Sequence, residues 1–342
     1  MSLEAELAAA IRAAGCAESF PFETWALRVF AHQFARNPPY RAFCERRGVT
    51  PDTVASWTDV PPVPTAAFRH ADLSCGAAEA VFRTSGTTGG DAGARGRHAI
   101  PYLDLYRASA LTSFAHFVLP DGARLPALFL LPPPEDRPES SLVRMCAWVG
   151  DELATAAEWF GAPGRLQVAR LVERLRVLEA CGEAVVVAGP TTAFARLFEE
   201  QAPVRLGSGS RVMDTGGAKG MSRPLSRPGF LRACWTHLGV AGYYCVNEYG
   251  MTELCSQRYE SVLRDRFDGR SLDPRRLVAP PWLRTRVLDP DTLAPVAAGG
   301  VGLLCHHDLA NAGSVSAVLT EDLGRAVGDD GIEVVGRVPG AP

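Results

Sequence analysis

Tyr243-Tyr244-Cys245-Val246-Asn247-Glu248-Tyr249-Gly250-Met251-Thr252-Glu253 runs from a short apolar strand into a cluster of polar side chains around a glycine. In an open α/β sheet, ligands gather at the carboxyl ends of strands, so strand first and polar cluster second marks a candidate binding edge. The pattern predicts a strand over 243–246 with the polar residues directly after it. A tyrosine ring can stack on a purine, a threonine hydroxyl can bond a phosphate, and a carboxylate can hold Mg²⁺ beside it. The same residues also suit an ordinary strand-to-helix connection with Thr252 as N-cap.

Working outward, short apolar runs alternate with amphipathic stretches. Strands are expected over 80–82, 125–131, 184–188 and 212–213, and helices over 104–117, 166–178, 192–200 and 230–238. This alternation argues for an α/β fold with substantial parallel sheet. Upstream, Leu3, Leu7 and Ile11, then Trp25, Leu27, Phe30 and Phe34, recur at helical spacing. Beyond Pro280 the texture turns to strands over 282–288, 301–305, 315–319 and 332–335, joined by Gly and Pro. The expected organisation is a helical N-terminal region (1–80), an α/β nucleotide-binding core (81–280) and a small β-rich lobe (281–342).

Composition narrows the function classes. The 342 residues are 47% hydrophobic and 21% charged, which is ordinary globular protein and not a disordered or fibrous chain. With 35 basic and 38 acidic side chains the net charge is −3, so there is no electrostatic case for nucleic acid. No apolar run reaches membrane-spanning length. The first residues carry acids, unlike a signal peptide. Nine scattered cysteines include no C-x-x-C, so neither a zinc site nor a disulfide framework is expected, and a cytoplasmic location is. Cys146, Cys181 and Cys234 read as helix-like and apolar. Only one basic residue, Lys219, is a lysine. A compact ammonium reaching a phosphate or carboxylate is not replaceable by arginine, which singles it out, although drift could leave a single lysine anywhere.

Three further segments carry candidate chemistry. Phe82-Arg83-Thr84-Ser85-Gly86-Thr87-Thr88-Gly89-Gly90 is a hydroxyl- and glycine-rich loop after a strand, suited to a polyphosphate, with Arg95, Arg97 and His98 as added positive charge. It could equally be a polar hairpin turn, and it is no Walker A loop. Met213-Asp214-Thr215-Gly216-Gly217-Ala218-Lys219-Gly220 is a second strand end with glycines. Thr320-Glu321-Asp322-Leu323-Gly324-Arg325 and Gly336-Arg337 follow; Asp322 can grip a diol with both oxygens, although alone either segment reads as a surface turn. The adjacent His306 and His307 are expected on opposite strand faces, which argues against a metal site.

In this order the motifs resemble the adenylate-forming enzymes: acyl- and aryl-CoA synthetases, adenylation domains and luciferases. Within them the chain is most similar to the LuxE-like acyl-protein synthetases. Asn37-Pro38-Pro39-Tyr40, Val63 to Arg69, Asp214 to Gly220, Tyr249 to Ser256 and Asp308-Leu309-Ala310-Asn311 carry that likeness. The resemblance implies an ATP- and Mg²⁺-dependent ligase that converts a carboxylic acid, by family likeness a fatty acid, to acyl-AMP. It implies Thr84, Ser85, Gly86, Thr87, Thr88 and Gly89 as the phosphate loop, and Gly216, Gly217, Tyr249 and Gly250 at the adenine. Thr252 and Glu253 would serve the α-phosphate and Mg²⁺, Asp322 the ribose, and Arg337 the hinge side. Two departures stand out. Gly90-Asp91-Ala92-Gly93 follows the loop where the family has Pro-Lys-Gly, and the sequence stops at Pro342, without the family's mobile C-terminal domain or a cysteine-bearing tail. Lys219, the chain's single lysine, is expected to take the place of that domain's catalytic lysine. A protein, reductase or carrier thiol is the expected acyl acceptor, with a homo-oligomer or reductase complex as a further expectation. CoA as acceptor, or a non-catalytic nucleotide-binding subunit, are the alternatives.

Overall fold

The computed structural model describes residues 1–16, 19–84, 95–162, 164–216, 225–272 and 274–338. The N-terminal elements are α1 (Leu3–Ala14), α2 (Phe22–Arg36), α3 (Pro38–Glu45), β1 (Val63–Pro64), β2 (Ala80–Arg83) and β3 (Arg97–Ile100). There follow α4 (Leu103–Val118), β4 (Ala127–Phe129), α5 (Ser141–Glu152), β5 (Ala157–Trp159), β6 (Gly161–Ala162), β7 (Arg165–Leu166) and α6 (Val168–Cys181). Next come β8 (Val186–Pro190), α7 (Thr191–Glu200), β9 (Arg211–Thr215), α8 (Arg227–Leu238), β10 (Cys245–Tyr249), β11 (Arg258–Glu260) and α9 (Val262–Phe267). The last are β12 (Leu277–Val278), β13 (Leu283–Leu288), β14 (Gly302–Asp308), β15 (Ala317–Val327) and β16 (Gly331–Arg337).

Among the described residues, a twelve-stranded sheet runs β13-β14-β15-β16-β12-β11-β10-β9-β8-β4-β5, with β1 pairing beside β15. From β10 to β5 all neighbours are parallel. From β10 to β13 all are antiparallel. Away from the carboxyl ends of β9 and β10 the parallel half is largely apolar on both faces, as strands covered twice by helices must be. Val187 and Val212 join Leu171, Leu175, Phe194 and Phe230 of α6, α7 and α8. Ala188 and Met213 face the other way, into the cluster of Leu7, Ile11, Phe114 and Cys146 from α1, α4 and α5. The N-terminal helices are thus one layer of the sheet's own core.

Several elements differ from the sequence expectation, each for a physical reason. The central strand begins at Cys245 and continues to Tyr249, so Asn247, Glu248 and Tyr249 lie in β10 rather than after it. Polar side chains are accommodated there because the register supplies partners: Asn247 sits opposite Asp214 and Glu248 opposite Thr215. Asn247 Nδ2 donates to Asp214 Oδ2 at 2.9 Å, and the Thr215 hydroxyl donates to Glu248. No helix follows; the chain turns back into antiparallel β11, so Thr252 is not an N-cap. Thr320 to Arg325 is no turn but the middle of the eleven-residue β15, paired on both sides. α5, which follows a proline-rich stretch, had no expected bounds, although Cys146 within it read as helix-like; the Ser140 hydroxyl caps it by accepting from Val143 N at 3.3 Å. Among the described residues no helix is long and apolar enough to cross a membrane.

Candidate active site

The strand end and the turn after it form the first wall. Gly250 passes close over Glu248: a Cβ there would lie 2.5 Å from Glu248 Oε1, so no larger residue fits without displacing a buried carboxyl. Beyond Met251, the Thr252 and Glu253 peptide groups are held by their carbonyls. His98 Nδ1, from β3, lies 2.7 Å from Thr252 O, and Asn311 Nδ2 donates to Glu253 O at 2.9 Å and to Val315 O at 2.8 Å. His98 Nε2 in turn lies 2.9 Å from Asn311 Oδ1. Asn311 sits in a 3-10 turn (Leu309–Asn311) after β14. That turn is fixed by Asp308, which accepts from Cys255 N at 2.8 Å, Ser256 Oγ at 2.6 Å and Ala310 N at 3.0 Å. From α2, Gln33 Nε2 donates to Asn311 O at 3.0 Å. His98 was expected to add positive charge for phosphates. It is buried instead, and burial pulls its pKa down to about 4, so it is neutral at pH 7; it then has a single N–H, and with that hydrogen on Nδ1 it donates to Thr252 O and serves as a clasp.

The Glu253 carboxyl is buried, and that burial pushes its pKa up to about 7, against the attraction of Arg337 and Arg69. Beside it stands the base of the β2–β3 hairpin. Thr84 N donates to Gly96 O at 3.0 Å, Gly96 N donates to Thr84 Oγ1 at 2.9 Å, and Arg95 Nε donates to Thr84 O at 2.8 Å. A Cβ on Gly96 would stand 2.9 Å from Thr84 Cγ2 and 3.6 Å from Glu253 Oε1, which puts the root of the hydroxyl-rich loop against the carboxylate. Ser85, Gly86, Thr87, Thr88 and Gly89 lie outside the described residues, as do Gly217 and Lys219.

The second wall belongs to the antiparallel strands. Tyr249 Oη donates to Asp322 Oδ2 at 2.8 Å, and Arg337 Nε donates to Asp322 Oδ1 at 2.7 Å. Asp322 and Arg337 are direct cross-strand partners in β15 and β16. Gly216 follows β9, the parallel neighbour of β10, with φ +77°, a conformation that favours glycine. Its carbonyl accepts from Thr191 Oγ1 at 3.0 Å. Beneath lies a buried charge cluster: Arg227 pairs with Asp214 at 2.7 Å and with Glu260, and Arg275 pairs with Glu260 at 2.8 Å. Glu248 has no such cation among the described residues; burial lifts its pKa to about 7 against the Thr215 hydrogen bond.

Thr84, Thr252 and Glu253 are therefore gathered on one side, Tyr249, Asp322 and Arg337 on the other, and Arg337 acts electrostatically on both carboxylates. The structure adds Gln33 and gives His98, Asp308 and Asn311, noted in the sequence for other reasons, a role in holding the turn. As expected, the two histidines diverge: His306 faces Tyr249, and His307 packs edge-on against Trp57 at 4.7 Å. No group of three or more metal-ligating side chains occurs among the described residues. Contrary to expectation, Cys181 is exposed, because it is the last residue of α6. Cys255 is buried, its thiol 3.5 Å from Asn311 Oδ1.

The architecture is the N-terminal-domain fold of the adenylate-forming ligases. 2-Hydroxyisobutyryl-CoA ligase, crystallised with 2-HIB-AMP and CoA, superposes with a TM-score of 0.67 at 18% identity, over 93% of this chain and 74% of that one. ATP-bound MatB from Rhodopseudomonas palustris superposes with a TM-score of 0.53 at 17% identity, over 77% of this chain and 49% of that one. In sequence, 50 residues are 42% identical to the long-chain-fatty-acid–luciferin-component ligase of Aliivibrio fischeri; they make up 15% of this chain and 13% of that protein. No protein-family model matches the chain.

Proposed function

We propose that this chain activates a carboxylic acid with MgATP, forming an acyl-adenylate and releasing pyrophosphate. The observation that supports this best is the meeting of the clasped Thr252–Glu253 turn with the Tyr249–Asp322–Arg337 wall. It lies at the carboxyl ends of β9 and β10, in a fold shared with ligases crystallised with ATP or 2-HIB-AMP. In the reaction a carboxylate oxygen bonds to the α-phosphorus while the α–β P–O bond breaks. No proton need move, so the protein's work is alignment and charge stabilisation.

In this reading Thr84 to Gly89 cradle the outer phosphates. Tyr249, Gly216 and Gly217 flank the adenine, and Gly250 lets the backbone pass. Asp322 grips the ribose diol, with Arg337 neutralising it, and Thr252 bonds the α-phosphate. Lys219 meets the incoming carboxylate or the α-phosphate. Glu253 fits Mg²⁺: it is a buried hard-oxygen donor with no ion-pair partner among the described residues, and its raised pKa is the mark of an uncompensated charge. Mg²⁺ bound there would offset triphosphate charge. A fatty acid as substrate, and a protein or carrier thiol as acceptor, rest on the motif resemblance and the 50-residue match. CoA as acceptor is the second reading, since one structural neighbour was crystallised with CoA; thioester formation from free CoA without a partner protein would favour it. The test is ATP–pyrophosphate exchange over acids of graded chain length and aromaticity. Exchange that depends on one acid class supports the proposal, and ATP binding without exchange for any acid points to a non-catalytic nucleotide-binding role.

A further inference from the structure

We infer that Arg258, Thr285 and His306 are positioning residues for the nucleotide wall. They form a one-directional hydrogen-bond chain, Arg258 to Thr285 to His306 to Tyr249 to Asp322, that fixes the Tyr249 hydroxyl and the Asp322 carboxylate. The inference rests on reading Tyr249 and Asp322 as nucleotide-binding residues.

Three directly opposed pairs build the chain. Tyr249 faces Arg258 across β10 and β11, Thr285 faces His306 across β13 and β14, and Asp322 faces Arg337 across β15 and β16. The pairs lie on three separate ladders, and a one-residue slip in any of them would turn its side chains to the other face. The contacts are continuous: Arg258 Nη2 to Thr285 Oγ1 at 2.5 Å, Thr285 Oγ1 to His306 Nδ1 at 2.7 Å, His306 Nε2 to Tyr249 Oη at 3.3 Å, and Tyr249 Oη to Asp322 Oδ2 at 2.8 Å.

Each proton in the chain follows from its two ends. A guanidinium only donates, so Thr285 accepts from Arg258; an ionised carboxylate only accepts, so Tyr249 donates to Asp322. Tyr249, having spent its one hydrogen, accepts from His306 Nε2–H. His306 Nδ1 is then a bare acceptor and takes the Thr285 hydroxyl proton. Every hydroxyl and ring nitrogen is used once in each required sense. The neutral histidine this demands agrees with its setting, since burial, then Arg258 and His307, hold its pKa well below the usual value.

Arg258 supplies the polarity. It is buried, and among the described residues it forms no ion pair with a carboxylate. Its Nη1 donates to Leu277 O at 3.2 Å, and its Nε finds no partner among the described residues. A buried charge without a counter-ion is costly, and here its field runs along polarisable groups to the Asp322 carboxylate. Asp322 thus has one oxygen held by Arg337 and the other by Tyr249. A carboxylate has about four lone-pair sites, so two remain for a diol, in an orientation set before any ligand arrives.

Thr285→Val keeps the shape and removes the hydroxyl; Thr285→Ser keeps the hydroxyl. In calorimetry with ATP, Thr285→Val is expected to bind about fivefold more weakly, the worth of one hydrogen bond, while Thr285→Ser binds like wild type. In pyrophosphate exchange the same variant raises KM for ATP and leaves kcat within about twofold. In a Tyr249→Phe background, Thr285→Val adds no further loss. Equal loss in that background, or wild-type ATP affinity in Thr285→Val, overturns the inference. Nitrogen-15 NMR of His306 tests the chain without any nucleotide: the Nε2–H tautomer, unchanged on acidification to pH 5, supports it, and the Nδ1–H tautomer overturns it, even if Thr285→Val fails to fold. If the wild-type protein binds no ATP while His306 shows the Nε2–H tautomer, the chain stands and the nucleotide reading falls.

Discussion

The two walls of the site are held by different means. On one, His98 and Asn311 hold the Thr252–Glu253 turn by its backbone carbonyls, so the turn keeps its path whatever side chains it carries. On the other, Tyr249 and Asp322 are held through their own functional groups, by Arg337 at one end and His306 at the other. A backbone grip frees the side chains at 252 and 253 for chemistry, and charge changes there leave the frame intact. A side-chain grip ties identity to neighbours, so even a conservative change on the second wall is felt by the residue next along.

The comparison is broken most sharply at Glu253. Glu253→Gln removes a charge but leaves its carbonyl on Asn311, so exchange is expected to fall by about 10²-fold or more, as for the loss of a preorganised electrostatic contact. The melting temperature at pH 8 should hold or rise; a fall in both would mean that the turn is not held by its backbone. Asn311→Leu attacks the grip itself. It leaves the Glu253 and Val315 carbonyls buried without donors, and urea titration should show a loss of about 2–4 kcal/mol. Loss of exchange without loss of stability would make Asn311 something other than a clamp.

The buried acids give a pH signature. Burial raises Glu253 and Glu248 to about 7 and Asp308 to about 6, each above its unfolded value. Between about pH 4.5 and 7 the folded chain therefore holds more protons than the unfolded chain, and its stability should decline as pH rises, by at most about 1.4 kcal/mol per pH unit for each group. Glu248→Gln should flatten that slope in melts run from pH 5 to 8, and an unchanged slope would remove Glu248 from the account. Mg²⁺ binding, if Glu253 holds the ion as proposed, is expected to show the opposite trend, strengthening as Glu253 ionises. The smallest expected effect is Tyr249→Phe, which cuts the link to Asp322 and should weaken ATP binding about fivefold in calorimetry while leaving the fold unchanged.

Much of the parallel half was legible from sequence because it depends on local pattern. Short apolar runs alternating with amphipathic stretches located β8, β9, α6, α7 and α8 to within a few residues. The extension of β10 through Asn247 and Glu248 was not legible, because what makes those residues strand-competent is the register against Asp214 and Thr215. Asp322 looked like a turn residue for the same reason: its strand character comes from β14 and β16 on either side. Tyr249, Thr252 and Glu253 stood out because hydroxyl, ring and carboxylate sit together in sequence. His98 and Asn311 also drew notice, but the carbonyl-holding roles of His98, Asn311 and Gln33 did not show, since their partners lie 154, 58 and 278 residues away. Spatial convergence of this kind leaves no trace in spacing.

The most direct measurement of the central claim is acid-dependent exchange of radiolabelled pyrophosphate into ATP, run on the wild-type chain and on Glu253→Gln side by side. The account predicts exchange with wild type that requires both a carboxylic acid and Mg²⁺ and falls by about 10²-fold or more in the variant. Wild-type protein that binds ATP yet exchanges with no acid, or exchange that survives undiminished in Glu253→Gln, would contradict it.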